Sequence, residues 1–279
     1  MLNILKSGFF TTVQDTGRFG YRDKGVPVAG IMDSYSTSKV NTLLENDPNC
    51  AVLEITMTGP QLQFDEDTYI VLGGAEMSVT LNDIALENYK VYQVKSGDIL
   101  NYGKLEKGFR AYLGIKDGFN TEAVLGSRSF FKPITEKDSI KKMGDLPYTT
   151  CKLFNPKISQ LKVDSVLDKS VLEVYKGPEY KLLTDNQLGK LFYREFSVAN
   201  ENNRMAYQLN ETIEENKVSM LTSATLPGTV QLTPSGKLIV LMKDGQTTGG
   251  YPRILQLSDM AMSILAQKRS GDHIKFKLK

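Results

Sequence analysis

Along most of this chain hydrophobic and polar residues alternate over short stretches, and helical spacing is rare. β-rich runs bounded by Gly, Pro, Asn or Asp occupy residues 52–57, 69–72, 77–81, 90–94, 99–102 and 109–115, then 171–175, 205–209, 229–232, 238–242 and 273–278. Short strands in succession with turn residues between them predict barrels or sandwiches. Three stretches read as helices. Asp33 or Ser34 can cap one carrying Val40, Leu43 and Leu44 on one face, and Thr184 or Asp185 can cap one through Leu188, Leu191 and Phe192. Ser258 can cap a third with Met260, Ile264 and Leu265. The expected fold is mainly β with a few short helices.

The strands fall into two groups carrying the same marks in the same order. Leu53-Glu54-Ile55 leads to Gly59-Pro60, and Leu172-Glu173-Val174 leads to Gly177-Pro178. Ser96-Gly97-Asp98 precedes a strand in the first group, and Ser270-Gly271-Asp272 precedes one in the second. Two related β units are expected. Residues 131–170 are Lys-rich, weakly patterned and interrupted by Pro133, Pro147 and Pro156, and read as a connection. The boundary is placed near residue 165, giving units 1–165 and 166–279.

At 279 residues the chain is long enough for two cores of this kind. A composition of 41% hydrophobic and 24% charged residues is that of a soluble globular protein. The 34 basic and 32 acidic residues leave a net charge of +2, which gives no electrostatic case for nucleic acid or an anionic membrane. No apolar run approaches a bilayer span, and MLNILKSGFFTTVQDTG lacks the pattern of a signal peptide, so a cytoplasmic protein is expected. Cys50 and Cys151 show neither CxxC nor zinc spacing and read as reduced thiols. His273 is the single histidine, in an alternating C-terminal stretch, which excludes a zinc site built on several histidines. No metal site is predicted, and chemistry must rest on carboxylates, lysine, arginine, hydroxyls or backbone dipoles.

Candidate chemistry concentrates in KLIVLMKDGQTTGGYPRI, residues 237–254. There an apolar run breaks into a loop with neutral donors and acceptors at Gln246 and Thr247 and small residues at Gly249 and Gly250. Tyr251-Pro252-Arg253 closes the loop, and Arg253 offers a fork for a carboxylate or phosphate. Read from its residues alone, the stretch is either a binding loop or an ordinary Gly-rich hairpin. Gly245 to Gly250 has GxxxxG spacing, but Tyr251-Pro252 stands where a P-loop needs Lys-Ser/Thr. Leu241-Met242-Lys243-Asp244 has an aspartate where a biotinyl-lysine hairpin has its second methionine, so no biotin is expected on this chain. A second platform runs from Thr12 to Asp33, with Gln14, Asp15, Arg18 and Asp33 as its polar members; for Asp33 a helix cap is the preferred reading. Arg204, in Asn202-Asn203-Arg204-Met205-Ala206-Tyr207, is either an anion-binding arginine at a strand entry or a surface residue.

TVQDTGRFGYRDKGVPVAGIMD, NRMAY and PGTVQLTPSGKLIVLMKDGQTTGGYPRI, in this order, resemble the family of KipA and the C subunit of 5-oxoprolinase. That family is also labelled allophanate hydrolase subunit 2 or biotin-dependent carboxyltransferase subdomains A and B. LEITMTGPQLQF and FRAYLGIKDGF extend the resemblance over nearly the whole chain, while residues 130–171 depart from the pattern.

The resemblance implies two cyclophilin-like β-barrel subdomains. It implies a KipI-like partner, the B subunit of 5-oxoprolinase, and a LamB/YcsF-type partner, its A subunit, which together open 5-oxoproline to glutamate using ATP with Mg. Two alternatives follow from the same family: a KipA-like regulator that binds a KipI-like kinase inhibitor, or the carboxyltransferase half of a biotin-dependent urea or amide carboxylase. For a small-molecule amide substrate the expected site comprises Asp15 and Asp244 as proton-handling or phosphate-handling carboxylates. Gln14, Arg18, Arg204, Gln246, Thr247, Gly249, Gly250, Tyr251 and Arg253 are its expected binding residues, with Arg204 or Arg253 clamping an anion.

Overall fold

The computed structural model describes residues 1–216, 218 and 220–279. They form two compact units, one from residues 1–18 and 33–167, the other from 19–32 and 168–279. The expected division at residue 165 therefore needs a correction: residues 19–32, placed by sequence in the first unit, belong to the second. Nothing in the spacing of a loop segment tells which core it packs on, because the bonds that decide it come from residues near 204 and 243.

The first unit is a nine-stranded antiparallel sheet curved as a half-barrel. Its backbone is two long strands, Thr68–Leu81 and Ile99–Ile115, each of which reads in sequence as two short runs. Glycines and charged residues inside them look like turns, but they serve bulges and close packing. A Cβ on Gly73 or Gly114 would come within 2.6 or 2.3 Å of Val40, so these glycines let helix α1 (Ser34–Leu43) lie against the sheet. Asp33 caps that helix, accepting from the Ser36 N–H at 2.9 Å and its hydroxyl at 2.7 Å. The strands Leu2–Lys6, Phe10–Gln14 and Gln61–Phe64 lie outside the runs read from sequence.

Residues 130–161 do more than connect. The Phe130 and Ile140 N–H groups donate to Val13 and Thr11, on the strand Phe10–Gln14. Ile4 and Gly144 are bonded at 2.9 Å, and Val91 and Tyr89 are bonded to Ser159 and Leu161. The Lys-rich segment thus covers strand edges that would otherwise offer unpaired backbone groups.

A polar chain is sealed inside this unit. Arg110 and Glu54, 2% and 1% exposed, form an ion pair at 3.7 Å. The Tyr112 hydroxyl donates to Glu54 at 3.0 Å and accepts from the Asp33 N–H at 2.9 Å. Burial, reinforced by the Glu54 and Asp33 carboxylates, pushes the Tyr112 phenol well above its usual range.

The second unit closes into a seven-stranded barrel, in the order Val171–Lys176, Arg253–Leu257, Thr229–Leu232, Lys237–Leu241, Ala206–Thr212, Phe196–Asn202 and His273–Leu278. Its first and last strands are parallel neighbours. Helix α2 (Asp185–Tyr193) starts in a capping box between Thr184 and Gln187, and helix α3 (Asp259–Ala266) is capped by Ser258. A mainly β chain with two β units and short helices is what the alternation predicted.

Replacing Arg110 with Met should strand the Glu54 charge and cost roughly 3–5 kcal/mol in denaturant unfolding. Adding Glu54→Gln should recover most of that loss; a single-variant cost below about 1 kcal/mol would show the pair to be immaterial.

Candidate functional site

Gln14, Asp15 and Arg18 lie in the first unit, and all three are committed to its backbone. The Gln14 amide donates to Thr12 Oγ1 at 3.0 Å and to the Phe130 carbonyl at 3.2 Å. Arg18 donates to the carbonyls of Val124 at 3.1 Å and Ser129 at 2.5 Å. Asp15, 2% exposed, accepts from the Gly17 and Arg128 N–H groups at 2.9 and 2.6 Å and from the Ser127 and Ser129 hydroxyls at 2.6 and 2.7 Å. Three of these bonds fall on Oδ1 and one on Oδ2, so the carboxylate ties the turn at Gly17 to residues 127–129. The geometry engages these residues in ordering the 124–130 loop.

The remaining expected residues lie in the second unit. Arg204 meets Asp244 in a bidentate pair, Nε to Oδ2 at 2.8 Å and Nη2 to Oδ1 at 2.9 Å, and Nη2 also reaches the Gly30 carbonyl at 2.7 Å. Arg253 is paired with Glu179 in the same manner, at 2.9 and 2.7 Å, and donates to the Ala224 carbonyl at 2.5 Å. Both arginines expected to clamp a ligand anion are thus neutralised by carboxylates of the protein. Asp244 is likewise a structural partner. Hydrogen bonds from Arg253 hold the Glu179 carboxyl below its ordinary range against the opposing effect of burial.

Gln246, Thr247, Gly249, Gly250 and Tyr251 are brought together. Residues 223–224 pair with 248–249 as a small ribbon, and Thr225 bonds to the Gln246 carbonyl at 2.6 Å and the Thr247 carbonyl at 3.0 Å. Gln231 lies under this ribbon. It alternates with the core residues Val230 and Leu232, is 1% exposed, and its Nε2 has no hydrogen-bond partner among the described residues. A Cβ at Gly249 would stand 2.4 Å from that nitrogen and 2.9 Å from Gln246 Nε2, so two carboxamides converge on the bare glycine. Gly250 differs: nothing lies within 4 Å of where its Cβ would be, and it is exposed. With Tyr251, Glu215, Asn216, Met220 and Pro234 it borders a groove of about 460 Å³.

The side chains of Gln246 and Thr247 make no hydrogen bond to a described residue and are open to solvent in different degrees. This ribbon therefore offers uncommitted amide and hydroxyl groups, and the groove that Gly250 and Tyr251 border also carries Glu215. Such a surface suits a polar ligand that both donates and accepts hydrogen bonds. Among the described residues no group of three or more His, Cys, Asp or Glu could hold a metal ion.

Glu179, Gln231 and Arg22 are not singled out by sequence. Glu179 follows Gly177-Pro178, read only as a repeat mark, and Gln231 and Arg22 stand inside runs quoted for the family resemblance. Arg22 donates to the Thr225 carbonyl.

A family described as carboxyltransferase domain, subdomain A and B, matches residues 24–278. The chain is 33% identical to the C subunit of 5-oxoprolinase from Escherichia coli (strain K12), covering 99% of this chain and 90% of that protein. Identity to the corresponding 5-oxoprolinase subunit of Haemophilus influenzae is 32% with the same coverage. Urea amidolyase of Saccharomyces cerevisiae is 40% identical over 131 residues, which is 47% of this chain and 7% of that one. The solved structure of Kluyveromyces lactis urea amidolyase superposes with a TM-score of 0.88 at 28% identity, over 99% of this chain and 18% of its own. A further solved chain, 24% identical with a TM-score of 0.89, is covered over 55% of its length and shows the fold alone.

Gly249→Ala should lower stability by roughly 1–3 kcal/mol, because the methyl group must displace the buried Gln231 amide. Gly250→Ala should leave stability within about 0.5 kcal/mol, and paired thermal melts check the contrast. The Arg253–Glu179 pair adds a pH dependence. Because the folded-state carboxyl titrates below the unfolded one, its stabilisation is complete above about pH 4.3 and is lost as pH falls through the lower folded value. Glu179→Gln should flatten the stability profile in that acid window; an unchanged slope would refute the assignment.

Proposed function

The chain belongs to the carboxyltransferase-domain family, subdomains A and B, and on that premise we propose that it is one component of an ATP-dependent complex that opens 5-oxoproline to glutamate. The observation that carries this reading is the end-to-end match to the C subunit of a 5-oxoprolinase, over 99% of this chain and 90% of the Escherichia coli protein.

Opening the lactam breaks its C–N bond, placing the hydroxyl of water on the carbonyl carbon and a proton on the nitrogen. An amide carbonyl is a poor electrophile, so the reaction depends on positioning and on stabilising charge that develops on the oxygen. On this reading the Gln246 amide and the Thr247 hydroxyl of the ribbon supply donors for that oxygen. The bare Gly250 leaves room for close approach, and the Tyr251 ring covers one side of the bound amide.

Neither carboxylate expected at the site is placed to hold Mg–ATP: Asp15 is buried among four donors and Asp244 is engaged by Arg204 on both oxygens. We assign the nucleotide to a partner protein, of the KipI-like or the LamB/YcsF-like kind.

The 40% identity to yeast urea amidolyase over 131 residues favours a second reading, carboxyl transfer to an amide nitrogen. Assembly of the chain with its two partner proteins separates the two. The first reading expects glutamate release from 5-oxoproline only with ATP and only when all three proteins are present. An assembled complex that releases none, or one that instead carboxylates urea at the expense of carboxybiotin, would sink it.

A further inference from the structure

Gln14 and Arg18 hold one wall of a cavity in the first unit. Gln14 Nε2 donates to the Phe130 carbonyl at 3.2 Å, and Arg18 donates to the carbonyls of Val124 and Ser129 at 3.1 and 2.5 Å. Val124 and Phe130 line a cavity of about 300 Å³. Thr135 and Lys137 line it too: Thr135 Oγ1 accepts from the Phe131 N–H at 2.8 Å and donates to the Lys137 carbonyl at 2.7 Å, which fixes the stretch carrying Glu136. Pro147, also in the lining, accepts from the Asn120 N–H at 2.8 Å. Each of these segments is tied by hydrogen bonds within the unit, as a preformed small-molecule site requires.

The charges of this cavity are unmet. Glu122, Glu136 and Asp145 line it and are exposed, and none of the three carboxylates has an ion pair or hydrogen bond to a described residue. Lys137 is the one basic residue of the lining, so three negative charges stand against one positive. Asp138, in the adjoining cavity of about 240 Å³, differs: Lys132 and Lys141 pair with it at 3.6 and 3.5 Å. A second observation concerns a hydroxyl. Thr121 lines the first cavity at 8% exposure, and its buried Oγ1 has no hydrogen-bond partner among the described residues. A buried hydroxyl without a partner costs free energy, which a ligand donor would recover.

One metal ion does not answer this pattern, because no group of three or more His, Cys, Asp or Glu among the described residues could hold it. The negative charge is instead spread around apolar surface from Val124, Phe130 and Pro147. Its complement is a ligand whose positive charges are spaced along an apolar stem. We propose that this cavity binds a linear aliphatic oligoamine, with ammonium groups at Glu122, Glu136 and Asp145, an N–H donated to Thr121, and methylenes against Phe130 and Pro147. The proposal does not depend on what the ribbon of the second unit binds.

Titration calorimetry of the full chain with spermidine and with ethylamine tests this. Spermidine should bind at one site with a Kd at or below about 1 mM, and ethylamine, with a single charge, at least ~10-fold more weakly. Glu122→Gln and Asp145→Asn together should weaken spermidine binding by about 10-fold or more. Glu201→Gln, on the second unit, should leave it unchanged, which separates the cavity from diffuse attraction to acidic surface. Thr121→Val should keep or raise the melting temperature, since it deletes an unpartnered hydroxyl, and should lower the affinity for spermidine. Equal affinity for the two amines, undiminished binding by the double variant or by Thr121→Val, or no binding of spermidine at millimolar concentration overturns the proposal. Displacement of spermidine by an equal concentration of Mg²⁺ shows a metal site instead, and also overturns it.

Discussion

Arg204 and Asp244 meet through two hydrogen bonds, and the same guanidinium takes the Gly30 carbonyl as a further acceptor. Side chains this far from water tolerate charge only when their forks are filled. Part of that need is met here by a segment distant in sequence. Ala29, held at a positive φ of 55°, donates its N–H to Lys243, and the Asp244 N–H returns to the Arg204 carbonyl. Residues 19–32 are thereby fastened to the second unit, although the chain on either side of them belongs to the first. Because Asp244 also opens the loop running to Tyr251, one buried pair sets where the candidate ribbon begins.

That arrangement changes the electrostatic character of the site. A loop with Asp, Gln, two Thr and Arg reads as a mixed surface able to meet either sign of charge. Once Asp244 is taken by Arg204 and Arg253 by Glu179, the neutral side chains of Gln246 and Thr247 stay open, and Glu215 is the acidic member of the groove lining. Arg22, far from the ribbon in sequence, donates to the Thr225 carbonyl beside it. Gly249 and Gly250, adjacent and alike in sequence, divide the work: one is bare because Gln231 fills the space beside it, the other because its space is open.

The strand alternation, the three caps and the pairing of two β units were legible because each depends on neighbours within a few residues. Asp33, Thr184 and Ser258 cap helices through bonds to residues three positions on. The two long strands of the first unit were read as four runs, since glycine and charge inside a strand look the same as a turn until the packed helix and the bulges are seen. The Lys-rich segment was read as a connection for a related reason. Its backbone bonds to Val13, Thr11, Ile4 and Val91 leave no trace in side-chain pattern.

Local chemistry thus settled the three helices with their caps, the β class and the family, each of them carried by residue spacing or by contiguous motifs. It also located the ribbon at Gln246–Tyr251. Which charged residues are available was a matter for tertiary structure, because an ion pair joins positions 40 or 74 apart in the chain. The same Leu-Glu mark shows why: Glu54 is sealed against Arg110, whereas Glu173 lies partly in solvent opposite Lys279. Sequence specified a carboxylate at both places, and only the packing around each decided what that carboxylate does.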